Sequence, residues 1–327
     1  MTQEKNIQKT VELVLSDIEK VSSTGLYNGK AGLSLSLFIA AEYLQDEQLE
    51  DTAYNLLQES LVIKNYDVSF ENGLAGIGYV LCYLIENKYL EADFDEIFGM
   101  QYETLVKSYE NIEKDPSRLV NSLQAIYFLS DASRIKKEDE RIPLIIKKIF
   151  EGLELFLSVQ FFDFLDIRYT NNKAGVLNIY TTYLKLIDYS GFHHFSYSLL
   201  EDYAALYRKG RITSSLETGF YLDRITGKYE IKGYEDIISE HIDSGIKNIY
   251  PSTLSLRERI NLAKITNSFK YKTVEERDLL PEIENIYNEK RIHDLLKTVD
   301  EKSFPFGYGA GLGRLLIYCV NKQTELL

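Results

Sequence analysis

Three times along the chain a cluster of small residues stands immediately before an apolar run. The copies read Gly25-Leu26-Tyr27-Asn28-Gly29-Lys30-Ala31-Gly32-Leu33, Glu71-Asn72-Gly73-Leu74-Ala75-Gly76-Ile77-Gly78 and Phe306-Gly307-Tyr308-Gly309-Ala310-Gly311-Leu312-Gly313. A pattern that recurs at one structural point marks a single supersecondary unit used repeatedly. Glycine at such a point permits a tight turn from loop to helix and lets neighbouring backbones approach closely. The architecture therefore has to be a repeat of helical hairpins.

Helical periodicity fills the space between the copies. Ile7, Val11, Leu13, Val14 and Ile18 fall three and four apart and give residues 7–20 one apolar face. Leu33 to Ala41 is apolar nearly all round, as an inner helix would be, whereas residues 47–61 are amphipathic and read as an outer helix. The second cluster opens another inner helix at Tyr79-Val80-Leu81-Cys82-Tyr83-Leu84-Ile85. Gly29 and Gly73 are 44 residues apart, the length of one hairpin with its loops. Projecting that period lands near residues 117–121, where Ser117–Ala125 opens the next apolar helix, and further starts are read near Asn171–Leu177, which keeps the Ala-Gly pair, near Ser214–Gly219 and at Pro251–Leu256. With the last copy, six to seven hairpins result. Their closure into an all-α, α/α toroid is favoured over an open solenoid, because neither terminal copy looks like a polar cap. Tyr221 to Ile231, with Gly227 near its centre, reads as two short strands, a small β-hairpin insertion over 220–232. One domain spanning 1–327 is expected.

Composition narrows the function. Five Pro suit long helices, and a formal net charge of −13 disfavours nucleic-acid binding and docking on anionic membranes. No apolar stretch is long enough to span a bilayer and the N-terminus shows no signal peptide, so a cytoplasmic protein is expected. Cys82 and Cys319 lie within apolar helical runs and read as buried thiols.

The glycine signatures, each followed by an apolar helix in an all-helical chain, resemble those of the lanthionine synthetase C-like family. That resemblance implies an α/α toroid. In the family's cyclases, a peptide thiol is joined to a dehydrated Ser or Thr during lantibiotic modification, and the thiol is activated on a zinc ion held by two Cys and one His. The family's Trp-Cys-x-Gly and Cys-His-Gly patterns would fall near Ser214-Ser215-Leu216 and Tyr250-Pro251-Ser252, and its Ala-His-Gly pattern near Asn171-Asn172. None of these positions carries Cys or His. The expectation is a member without the zinc site, with no metal and no cofactor, that binds a peptide or partner protein rather than forming thioethers.

Other chemistry was weighed on the residues themselves. His193-His194 is the only adjacent histidine pair, and neighbouring helical side chains diverge by about 100°, so the pair does not chelate alone. His241 and His293 stand in polar stretches and read as solvated. Asp67 and Glu71 before the second signature, with Asp163 and Asp166 before Asn171, are the carboxylates available to an alternative enzyme acting on a carbohydrate by acid and base. Tyr27, Asn28, Asn72, Asn171 and Tyr308 are the candidates for binding a peptide at a cavity mouth, with Phe70, Tyr169 and Tyr250 nearby. A scaffold without ligand is the third reading. The acidic run Asp93-Phe94-Asp95-Glu96 reads as a connection between helices.

Overall fold

The computed structural model describes residues 2–16, 18–62, 67–110, 112, 116–166, 173–191, 195–268, 276–281, 307–309 and 311–322. Among these the regular structure is helical, with no strand, which makes the fold class all-α. The chain divides into two compact units, one of residues 1–101 and 250–327 and the other of residues 102–249.

The first unit opens with α1 (Thr2–Leu15), α2 (Lys30–Leu44), α3 (Glu47–Leu61) and α4 (Leu74–Glu86) and takes in the start of α5 (Phe94–Tyr109). In α2 every residue from Ala31 to Ala41 is buried. At about 2 kcal/mol per buried Leu, such a helix is held by packing on all sides. Its two buried serines are satisfied, Ser34 by the Ala53 carbonyl on α3 and Ser36 by the Gly32 carbonyl one turn back. The hairpin to α3 is tight. Asp46 N–H donates to the Ala41 carbonyl and Gln45 N–H to that of Glu42, a Schellman closure with Gln45 left-handed at φ 54°. Asp46 then caps α3 by accepting from Leu49 N–H. Asp93 does the same for α5, accepting from Asp95 and Glu96 N–H, so the acidic run is a helix start rather than a connection.

The second unit contains α6 (Pro116–Asn121), α7 (Ala125–Ile135), α8 (Arg141–Asp163), α9 (Lys173–Ser190), α10 (Tyr197–Arg208), α11 (Leu216–Lys228) and α12 (Glu235–Lys247). In α8, Ile142, Ile145, Ile146, Ile149, Phe150, Leu153, Leu157 and Phe161 are buried at helical spacing. The expected β-hairpin over 220–232 is not seen. Residues 216–228 are α11, whose buried Leu222, Ile225 and Thr226 follow a period of three and four. Gly227 lies inside the last turn instead of at a strand reversal. The left-handed residue is Glu230, where the helix closes by Ile231 N–H donating to the Thr226 carbonyl. β-Branched and aromatic residues gave that stretch its strand-like look, and packing of α11 on α9 and α12 overrides the propensity.

The chain returns to the first unit through a 3₁₀ turn (Pro251–Thr253), α13 (Leu256–Ser268), α14 (Glu276–Leu279) and α15 (Leu312–Val320). The Tyr318 hydroxyl on α15 donates to Glu276 and accepts from Asn267, which ties these three helices together. α15 packs against α1 and α2, so within this unit the last signature meets the first.

Candidate functional site

The amides at the start of α2 are unsatisfied by the helix itself, and Gly29 offers no side-chain cap. The signature loop supplies the acceptors. Lys30, Ala31 and Gly32 N–H donate to the carbonyls of Ser23, Thr24 and Gly25. Folding the loop onto the helix this closely leaves no space for a side chain at Gly32, where a Cβ would stand 1.8 Å from the Leu26 carbonyl oxygen. The second signature repeats the device, Leu74 N–H donating to the Asp67 carbonyl.

The three signatures then join one another. Tyr27 N–H donates to the Glu71 carbonyl at 2.7 Å, and Gly309 N–H donates to the Tyr27 carbonyl at 2.9 Å. Tyr27 lies edge-on to Phe70 and tilted against Tyr308, with ring centroids 6.4 and 6.3 Å apart. Tyr27 and Tyr308 are both buried, the latter completely, and burial pushes the Tyr308 phenol well above its ordinary pKa so that it stays neutral. Two arginines close over these rings. The Arg257 guanidinium stands 5.0 Å from the Tyr27 ring centre and that of Arg314 stands 4.8 Å from the Tyr308 ring centre. Neither arginine falls within a signature cluster, so the repeat pattern does not point to them. Arg314 carried a signal, a lone charge inside the run Leu312-Gly313-Arg314-Leu315-Leu316-Ile317.

Beside the first two signatures lies a cleft of about 510 Å³ lined by Ser22, Ser23, Thr24, Lys30, Glu59, Asp67 and Asn72, among others. Lys30 and Glu59 pair across it. Both oxygens of the Asp67 carboxylate are engaged locally, accepting from Ser69 N–H and Ser69 Oγ at 2.9 Å. Glu71 and Asn72 are exposed and Asn28 is half-buried. The cleft thus presents hydroxyls, an amide, the Asp67 carboxylate and one ion pair beside the apolar Val62, Leu74 and Ile77.

In the second unit, Ser215 caps α11 by accepting from Thr218 N–H, and the Ser214 hydroxyl bonds that of Tyr207 at 2.7 Å. His241 is fully buried beneath them, not solvated. Its Nδ1 accepts from Ser215 N–H at 3.0 Å, which puts its proton on Nε2, 3.3 Å from the Tyr203 hydroxyl. The ring is tilted against Tyr207 at 4.3 Å, and burial lowers its pKa to about 4. Asp163 is half-buried at the end of α8 and Asp166 is exposed. Asn171, Asn172, Arg168, Tyr169, His193, His194 and His293 lie outside the described residues.

Among the described residues, the donor set at Ser214-Ser215 and Tyr250-Pro251-Ser252 does not fit a thiolate–imidazole zinc centre. Ser214 and Ser215 hold their hydroxyls in a side-chain bond and a helix cap, Pro251 and Ser252 lie in a 3₁₀ turn, and the His241 imidazole near Ser215 spends Nδ1 on the backbone. Among the described residues no three His, Cys, Asp or Glu side chains are grouped to hold a metal.

Comparison with known proteins agrees with the glycine signatures. The family model described as lanthionine synthetase C-like protein matches residues 2–154. Metalloprotease TIKI1 of Xenopus tropicalis is 32% identical over 111 residues, 33% of this chain and 20% of that protein, so the chain spans a fifth of the relative it matches.

Proposed function

We propose, from the match of residues 2–154 to the lanthionine synthetase C-like family model, that the chain binds a peptide or partner protein in peptide modification without zinc-dependent thioether formation. The observation that carries the reading is the cleft of about 510 Å³ at the first two signature loops, whose lining of hydroxyls, an asparagine and a lysine–glutamate pair suits the amides of an extended peptide. The cap and side-chain bonds that occupy Ser214 and Ser215 support the second half of the reading, since neither offers a ligand that would turn a thiol into a thiolate.

Selection from a displayed library of random 12-residue peptides tests it, with fluorescence anisotropy on the enriched sequences. Asn72 is exposed at the cleft, so Asn72→Trp fills the opening without touching the core. Enriched peptides are expected to bind the wild type and to lose at least about tenfold in affinity for the variant. Equal enrichment on both proteins would refute the cleft. Stoichiometric zinc by elemental analysis of the purified protein would refute the metal-free reading.

A further inference from the structure

Arg314 is 2% exposed, yet it carries a guanidinium that cannot lose its proton in a protein. Its Nε donates to the Tyr308 carbonyl at 3.1 Å, and its cation lies against the Tyr308 ring. Its Nη2 is buried with no hydrogen-bond partner. Among the described residues the groups that act on its charge are Tyr308, Arg257, Tyr27 and Tyr79, three phenols and a second cation. Buried charges are as a rule paired, and a ring face offsets only part of the missing counter-charge.

Its place in the helix sharpens the imbalance. Arg314 stands in the first turn of the nine-residue α15, whose Gly311 start has no side-chain cap. That end of a helix carries partial positive charge and favours an anion over a cation. Arg257, half-buried over the Tyr27 ring, adds a second positive charge near enough to disfavour that of Arg314. Helix end and unpartnered Nη2 both call for an anion.

We propose that Arg314 and Arg257, above the Tyr27–Tyr308 ring pair, form a binding site for the oxyanion of a ligand, a carboxylate or a phosphate group. Arg314 Nη2 donates to the anion and the two guanidiniums balance its charge. The site shares no lining residue with the cleft at Lys30 and Asn72 and holds whether or not a peptide binds there. A small phosphorylated or carboxylated molecule and the free carboxylate of a peptide share the chemistry.

Thermal unfolding at constant ionic strength, with sodium chloride as the balancing salt, tests the site and separates the sources. Three probes are titrated: inorganic phosphate, N-acetyl-trialanine with a free carboxylate, and the same peptide as its amide. At least one anion is expected to raise the wild-type Tm saturably, and the amide to leave it unchanged. Phosphate acting alone points to a small-molecule source, and the free peptide acting more tightly points to a chain terminus or acidic side chain. Arg314→Met keeps the length and drops the charge. In chloride buffer without phosphate or peptide it is expected to be at least as stable as the wild type, and to respond to neither oxyanion. A Met variant destabilised equally with and without anion, or a wild-type Tm indifferent to every anion, would overturn the proposal. Should the Met variant not fold, Arg257→Gln decides: about tenfold weaker anion response supports the site, and an unchanged response overturns it.

Discussion

His241 stands among polar residues in the sequence and among aromatic rings in the fold. Burial lowers its pKa from 6.5 to about 4, so between those values the unfolded chain binds a proton that the folded chain refuses. The stabilisation is complete above pH 6.5 and is lost as pH falls towards 4, by an amount on the order of 3 kcal/mol. Urea unfolding of the wild type and His241→Gln at several pH values between 7.5 and 4.5, on the order of one unit apart, should therefore show the wild type losing stability faster on acidification. Parallel curves would remove His241 as the cause. The histidine was illegible in sequence because what surrounds it, Tyr203, Tyr207 and the Ser215 amide, comes from residues 26 to 38 positions away. Gly32 was legible for the opposite reason: its obstacle, the Leu26 carbonyl, is six residues back in the same loop.

At the scale of the element, helix ends decide more than helix interiors. Boundaries such as those of α3 (Glu47–Leu61) followed from amphipathic spacing, and the structure adds the Asp46 cap at its start. The segment at 220–232 did not, since its strand formers and central glycine imitate a hairpin while its burial follows a helical period. Left-handed closures at non-glycine residues are equally silent in sequence. Gln45, at φ 54°, closes α2 where glycine is usual. Gln45→Gly relieves that conformation, and the gain is expected to outweigh the added flexibility of the unfolded chain by about 0.5–1 kcal/mol. Chemical denaturation reads the result, and a loss of stability would mean that the Gln45 side chain makes a contact worth more than the strain.

For the whole molecule, the first unit is built from both halves of the sequence, because α15 packs on α1 and α2 and Gly309 donates to Tyr27. The repeat pattern announced the hairpins, and two strong terminal copies announced that they meet; which side chains would line the junction depended on ring and guanidinium positions that no pattern encodes. A Cβ at Gly309 would stand 2.7 Å from that of Tyr27, so Gly309→Ala is expected to cost about 1–3 kcal/mol. Hydrogen exchange should then show α1, α2 and α15 losing protection together while α11 and α12 keep theirs. Loss confined to residues 307–322 would mean that the last signature contributes nothing to the first.

That junction also sets a timetable. Tyr27 and its partner Gly309 are separated by most of the chain, and at roughly 5–20 residues per second a ribosome needs on the order of 15–60 seconds to travel between them. Throughout that interval α2, buried on every side in the finished protein, has one flank with nothing to cover it. The nascent protein is thus a client for any chaperone that reads exposed aliphatic surface, and its first repeat is finished last.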